Sequence, residues 1–191
     1  GPGAFPFWAG IRSIGGPPRA PAEALAALLL AAGLIRAAGR GETLRHDGAI
    51  YRAIGARPGP RPAHEIGIWL GVLGPRALRL VGEAADGWVP SLSYVPPAQA
   101  AIGNAVIDAA ARAAGRDPKA IRRIYNIGGE VTAAVAAGAG DDDREIVGPV
   151  AHWVAVLTRL ATAHGFDSFV LWGEPSEPRL RRFIEEIAPA V

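Results

Sequence analysis

Apolar positions in this chain fall into four short continuous runs, and each is followed by a segment in which they recur every three or four residues. "EIGIWLGV" precedes a predicted helix from residue 75 to about 85, and "DGWVPSL" precedes "PPAQAAIGNAVIDAAARAAG". "AIRRIYNIGGEVTAAV" precedes "GPVAHWVAVLTRLATAHG", and "DSFVLWG" precedes "EPRLRRFIEEIAPAV". The runs read as strands and the periodic segments as helices. Pro97 and Pro149 suit helix starts, Gly115 and Gly165 suit helix ends, and Pro189 stops the closing helix. Strands and helices alternating at this spacing form a parallel α/β sheet, open or closed. "EIGIWLGV" lacks polar alternation, which predicts a strand covered on both faces. Trp69, Trp153 and Trp172 lie in apolar patterns and read as core.

Upstream the pattern differs. "AEALAALLLAAGLIRAAG" predicts a buried amphipathic helix from about residue 22 to Gly39 or Gly41, with Pro21 and Glu23 in its first turn. Asp47-Gly48 within "RHDGAIYRA" signals a hairpin turn, while "GARPGPRPAH" holds too much Pro and Gly for regular structure. "VAAGAGDDDRE" has no period and reads as a mobile, solvated loop. Its three aspartates do not form a metal site, since neighbouring carboxylates point apart and no His stands at ligand spacing.

The chemistry suggested by the pattern lies where the first run ends. Ligands of parallel α/β folds sit at the C-terminal ends of strands, where loops enter helices. Here that junction is Gly71-Val72-Leu73-Gly74-Pro75-Arg76-Ala77. A helix N-terminus presents unpaired N–H groups and partial positive charge, which favour phosphate. Gly71 and Gly74 let backbone approach an anion, Pro75 fits the first helical position, and Arg76 adds a bidentate donor. The residues alone leave this cradle and a plain strand–helix turn both open. The same holds for Trp88, which either walls a flat ring or packs in the core.

Composition narrows the classes. The 191 residues are 50% hydrophobic and 20% charged, enough for one globular domain with a sizeable core. Twenty basic residues, almost all Arg, face 18 acidic ones, and no basic block is interleaved with aromatics, so a nucleic-acid partner is not expected. The longest apolar run is too short for a bilayer span. Without cysteine there are no disulfides or thiolate nucleophiles, which fits a cytoplasmic protein. The histidines His46, His64, His152 and His164 do not cluster. No triad spacing, GxGxxG or P-loop is present, so no catalytic residue is named and the chemistry points toward a bound cofactor.

Taken together, "IWLG..GPRALRL.G..ADGW", "IDAAARAAGRDPKAIRRIYNIGG" and the closing "GFD.FVLW" resemble the later half of the luciferase-like monooxygenase family, over nearly the whole chain. The resemblance implies flavin- or F420-dependent oxidoreductase chemistry on small molecules, with FMN or F420 at the strand ends of a (βα)8 TIM barrel. It implies phosphate held around Gly71, Val72, Leu73, Gly74, Pro75, Arg76 and Ala77. Gly1, Gly3 and Ala4 resemble the Gly-rich loop after the family's fourth strand, with Pro2 removing one N–H. A full barrel needs about 250 residues. The expectation is therefore a partial barrel over residues 1–191, roughly strands 5–8 with their helices plus the preceding helix, lacking the N-terminal strands. Such a sheet exposes two parallel edges, so a homo-oligomer or a complementing N-terminal chain is expected. The alternative is a non-catalytic half-barrel remnant with weak or no cofactor binding.

Overall fold

The computed structural model describes residues 12–13, 21–135, 144–173 and 176–191. The Gly1–Ala4 segment and Asp141–Asp143 lie outside the described residues. The chain divides into two compact units, Gly1–Ile68 and Trp69–Val191.

In the first unit, strand β1 (Arg12–Ser13) is followed by helix α1 (Pro21–Gly39) and strands β2 (Leu44–Asp47) and β3 (Tyr51–Ala56). They form an antiparallel sheet in the order β1-β3-β2, with Arg45 opposite Ile54 and Asp47 opposite Arg52. The expected hairpin is present. Gly48 N donates to Tyr51 O at 3.1 Å across its turn, and Arg52 pairs with Asp47 at 3.0 Å. Ala38, Leu44 and Ala53 make a small core. Helix α1 is not the buried helix expected from its pattern. Its apolar residues surround the axis instead of forming one stripe, so only part of them can be covered, and Leu29 stays 45% exposed.

The second unit carries strands β4 (Trp69–Leu70), β5 (Gly87–Trp88) and β6 (Arg122–Ile127), with helix α2 (Pro75–Ala84) after β4 and helix α3 (Pro97–Ala113) after β5. A two-stranded parallel ribbon follows, β7 (Gly129–Val131) beside β8 (Ile146–Gly148), then α4 (Val150–His164) and β9 (Ser168–Leu171). The main sheet is parallel, in the order β4-β5-β6-β9, which are the four runs of the sequence pattern. Helix α4 ends at Gly165 with φ 71°, a left-handed cap that a residue without Cβ adopts freely. The closing segment starts as α5 (Glu177–Arg182) but continues as a π turn and a 3-10 turn, with Pro189 inside the last.

One face of the sheet meets the helices. Trp88, Tyr125 and Ile127 join Val81 of α2, Ile107 of α3 and Leu157 of α4 in a continuous core, with Leu70, Phe169 and Leu171 packed against it. Phe166 stacks on Tyr125 with ring centroids 4.0 Å apart. Trp153 is buried as expected and meets Phe183 edge-on.

Trp69 and Trp172 are not core residues, contrary to the reading of their apolar patterns. Residues 66–68 are not strand, and β4 is a two-residue edge strand rather than one covered on both sides. Side chains alternate between faces, so with Leu70 turned to the helices Trp69 lies on the opposite side and is 52% exposed. It rests over Gly87, where a Cβ would come within 2.6 Å of its Cδ1. Trp172 lies beyond the end of β9 and is 71% exposed.

Helices α2 and α3 approach closely at Gly82, where a Cβ would stand 2.4 Å from Ile107 O and 2.7 Å from the Ala110 Cβ. Backbone cannot yield as a flexible side chain does. Gly82→Ala should therefore lower stability by about 1–3 kcal/mol in chemical denaturation. A change within experimental error would mean that the helices slide apart freely.

Candidate functional site

The parallel strands β4, β5, β6 and β9 send their carboxyl ends in one direction, and the loops there hold the polar groups of interest. The loop after β4 enters α2 with Gly74 as the N-cap residue (φ −75°, ψ 149°) and Pro75 in the first turn. Leu78 N donates to Gly74 O at 2.9 Å, the first bond of the helix. No side chain caps this end, and the first turn holds no acid to neutralise it. Among the described residues, no acceptor takes up the N–H of Gly71, Val72, Leu73 or Gly74. Gly71, Leu73, Gly74, Pro75 and Arg76 are exposed, and Val72 and Ala77 are half-buried. All seven residues singled out from the sequence thus share one loop and one helical turn. Unpaired donors, open backbone and a helix N-terminus are the donor set a phosphate requires.

Trp88 does not wall a ring. It is 1% exposed, and its indole Nε1–H donates to Val72 O at 2.8 Å, beneath the loop. This contact was not readable from sequence, because it joins β5 to the loop after the neighbouring strand, 16 positions away.

A second feature at the same ends is a cavity of about 740 Å³ whose walls include Ser91, Tyr94, Asn126, Arg144, Trp172 and Arg179. Asn126 Nδ2 donates to Ser91 Oγ at 3.2 Å. Arg144 donates to Ser93 O at 2.6 Å and Arg179 to Trp172 O at 2.7 Å. Glu130 and Glu145 also line it, so the walls mix both charges with two exposed aromatics, Tyr94 and Trp172. Tyr125 is not part of this cavity. Its hydroxyl donates to Val95 O inside the core, where burial pushes its pKa far up and keeps the phenol protonated.

At the opposite ends of the strands, Arg123 is almost fully buried. Its guanidinium donates to Asp108 Oδ1 at 2.7 Å, Asn104 Oδ1 at 2.9 Å and Ile121 O at 2.8 Å. Burial lowers its pKa, and Asp108 pulls it back up. Each of the three guanidinium nitrogens donates to a group on α3 or just before β6, so the cluster reads as a structural clasp. Among the described residues, no three His, Asp or Glu side chains converge in a way that could hold a metal ion.

Comparison with known proteins places this fold. The profile of luciferase-like monooxygenases matches residues 12–145. The chain belongs to the luciferase-like monooxygenase family. An F420-dependent secondary alcohol dehydrogenase, solved with an F420–acetone adduct, has a similar fold with TM-score 0.75, 15% identity and coverage of 93% of this chain and 65% of the other. The F420-dependent tetrahydromethanopterin reductase from Methanopyrus kandleri gives TM-score 0.67, 17% identity, and coverage of 82% and 60%. A riboflavin lyase solved with modified FMN and riboflavin gives TM-score 0.58, 12% identity, and coverage of 76% and 47%. This luciferase-like chain therefore spans about two thirds or less of these enzymes' lengths, and at such identities the likeness is one of fold. No curated protein matches the sequence.

Proposed function

We propose that this chain contributes the cofactor-phosphate site of a flavin- or F420-dependent oxidoreductase or monooxygenase acting on a small molecule. The observation that carries the reading is the open loop Gly71–Gly74, which leads into α2 at the carboxyl ends of a parallel sheet and whose N–H groups have no acceptor among the described residues. The ring of FMN or F420 supplies the redox chemistry when bound. The chain's own residues do the holding: loop N–H groups and the α2 terminus bind phosphate, Arg76 adds charge at its rim, and the mixed cavity bounded by Asn126, Arg144 and Trp172 receives substrate.

In this reading β4, β5, β6 and β9 stand as strands 5–8 of the family's (βα)8 barrel. The edges at β4 and β9 then take either a second copy of the chain or a complementing chain, since unpaired parallel edges otherwise invite unspecific pairing. Among the described residues no helix is long and apolar enough to cross a membrane.

Titration of the purified chain with FMN and with F420, followed by cofactor fluorescence, tests the proposal. Micromolar binding of either is expected. Absence of binding of both near millimolar concentration would overturn it.

A further inference from the structure

We infer that Trp88 is a positioning residue for phosphate at the loop after β4, acting through the peptide that joins Val72 to Leu73. This rests on the assignment of that loop as the cofactor-phosphate site. The indole Nε1–H donates to Val72 O at 2.8 Å from inside the core. The Val72–Leu73 peptide is trans, as are all described bonds except Gly59–Pro60. In a trans peptide the C=O and the following N–H point in opposite directions within one plane. Fixing the Val72 carbonyl inward on the indole therefore turns the Leu73 N–H outward, on a loop where Leu73 is 56% exposed and that N–H has no acceptor among the described residues. Rotation of the same peptide would replace the outward donor with a carbonyl oxygen, which repels an anion. The indole donor holds the peptide in the receptive orientation.

The place for the indole is built from three directions. Val89 N donates to Leu70 O at 3.1 Å, which sets β5 beside the end of β4. Phe166 stacks against the ring at 6.5 Å with 27° between planes. Gly103 of α3 leaves the space the ring fills, since a Cβ there would lie 2.6 Å from the Trp88 Cη2. Hydrophobic packing alone would be met by any large ring. Only tryptophan also carries an N–H at the edge that meets the loop.

Trp88→Phe keeps a packed ring and removes the donor. Affinities of the full chain and of this variant are measured for FMN against riboflavin, and for F420 against its dephosphorylated form. Wild type is expected to favour the phosphate-bearing member of at least one pair by on the order of tenfold or more, the worth of a charge-assisted hydrogen bond or two. Trp88→Phe should remove most of that preference and leave affinity for the phosphate-free ring unchanged. A wild type without preference overturns the phosphate-site assignment itself, whereas a variant that keeps the wild-type preference overturns the role of Trp88 alone. Should Trp88→Phe fail to fold, amide NMR of the wild-type chain decides. Added FMN, F420 or inorganic phosphate should move the Leu73 amide proton downfield while the Trp88 indole proton stays protected from exchange. An unmoved Leu73 amide beside shifted Gly74 and Ala77 amides would sink the inference.

Discussion

Gly74→Asp is expected to weaken binding of FMN or F420 by roughly 10- to 100-fold while leaving the fold intact. The backbone at Gly74 has φ −75° and ψ 149°, a conformation open to any residue, and an added Cβ meets nothing within 4 Å. Asp is moreover a favoured N-cap residue, slightly better than Gly, so stability should hold or rise by roughly a few tenths of a kcal/mol. The same carboxylate stands where phosphate would sit. Two like charges at close range repel by a few kcal/mol at the effective dielectric of a protein surface, less at high salt. Gly74→Ser separates charge from bulk, because it caps without charge and should bind nearly as wild type. Fluorescence titration beside thermal melting reads both effects. Equal losses in the two variants would make the loop a steric boundary, and no loss in either would remove phosphate from this position.

Arg123→Ala should produce the largest loss of stability, about 2–4 kcal/mol, because it removes three donated hydrogen bonds at once, although Asp108 is 35% exposed and keeps some access to water. Asp108, Asn104 Oδ1 and Ile121 O would all lose their donor together. Asp108 keeps only a distant partner in Arg112 at 3.6 Å. Set against a total stability of about 5–15 kcal/mol for a domain, such a loss leaves a chain close to its threshold. A double variant, Arg123→Met with Asp108→Leu, should recover a large share, since apolar packing of similar volume often replaces a buried pair without penalty. Urea denaturation measures both. A loss below about 1 kcal/mol for Arg123→Ala would mean that water already shares this cluster.

The order of elements was legible because periodicity and punctuation are local. Four apolar runs gave β4, β5, β6 and β9, and Asp47-Gly48 gave the β2–β3 turn. Pro97 and Gly165 marked where α3 begins and α4 ends. The loop from Gly71 to Ala77 was legible for the same reason, being a single stretch of chain between a strand and a helix. What local pattern misjudged was coverage. A continuous apolar run looks alike whether its strand is central or at an edge, and Trp69 and Trp172 were expected in the core on that ground.

By itself, the sequence determined the strand–helix alternation, the glycine-rich junction after β4 and the family the chain belongs to, because each is written in neighbouring residues. Only the tertiary structure decided which tryptophan is core, which face of the sheet the helices cover, and that Trp88 reaches Val72 across 16 positions while Arg123 clasps Asp108 across 15. The physical reason is that burial and hydrogen-bond partners depend on which strands lie side by side, and that order is settled by packing between distant segments.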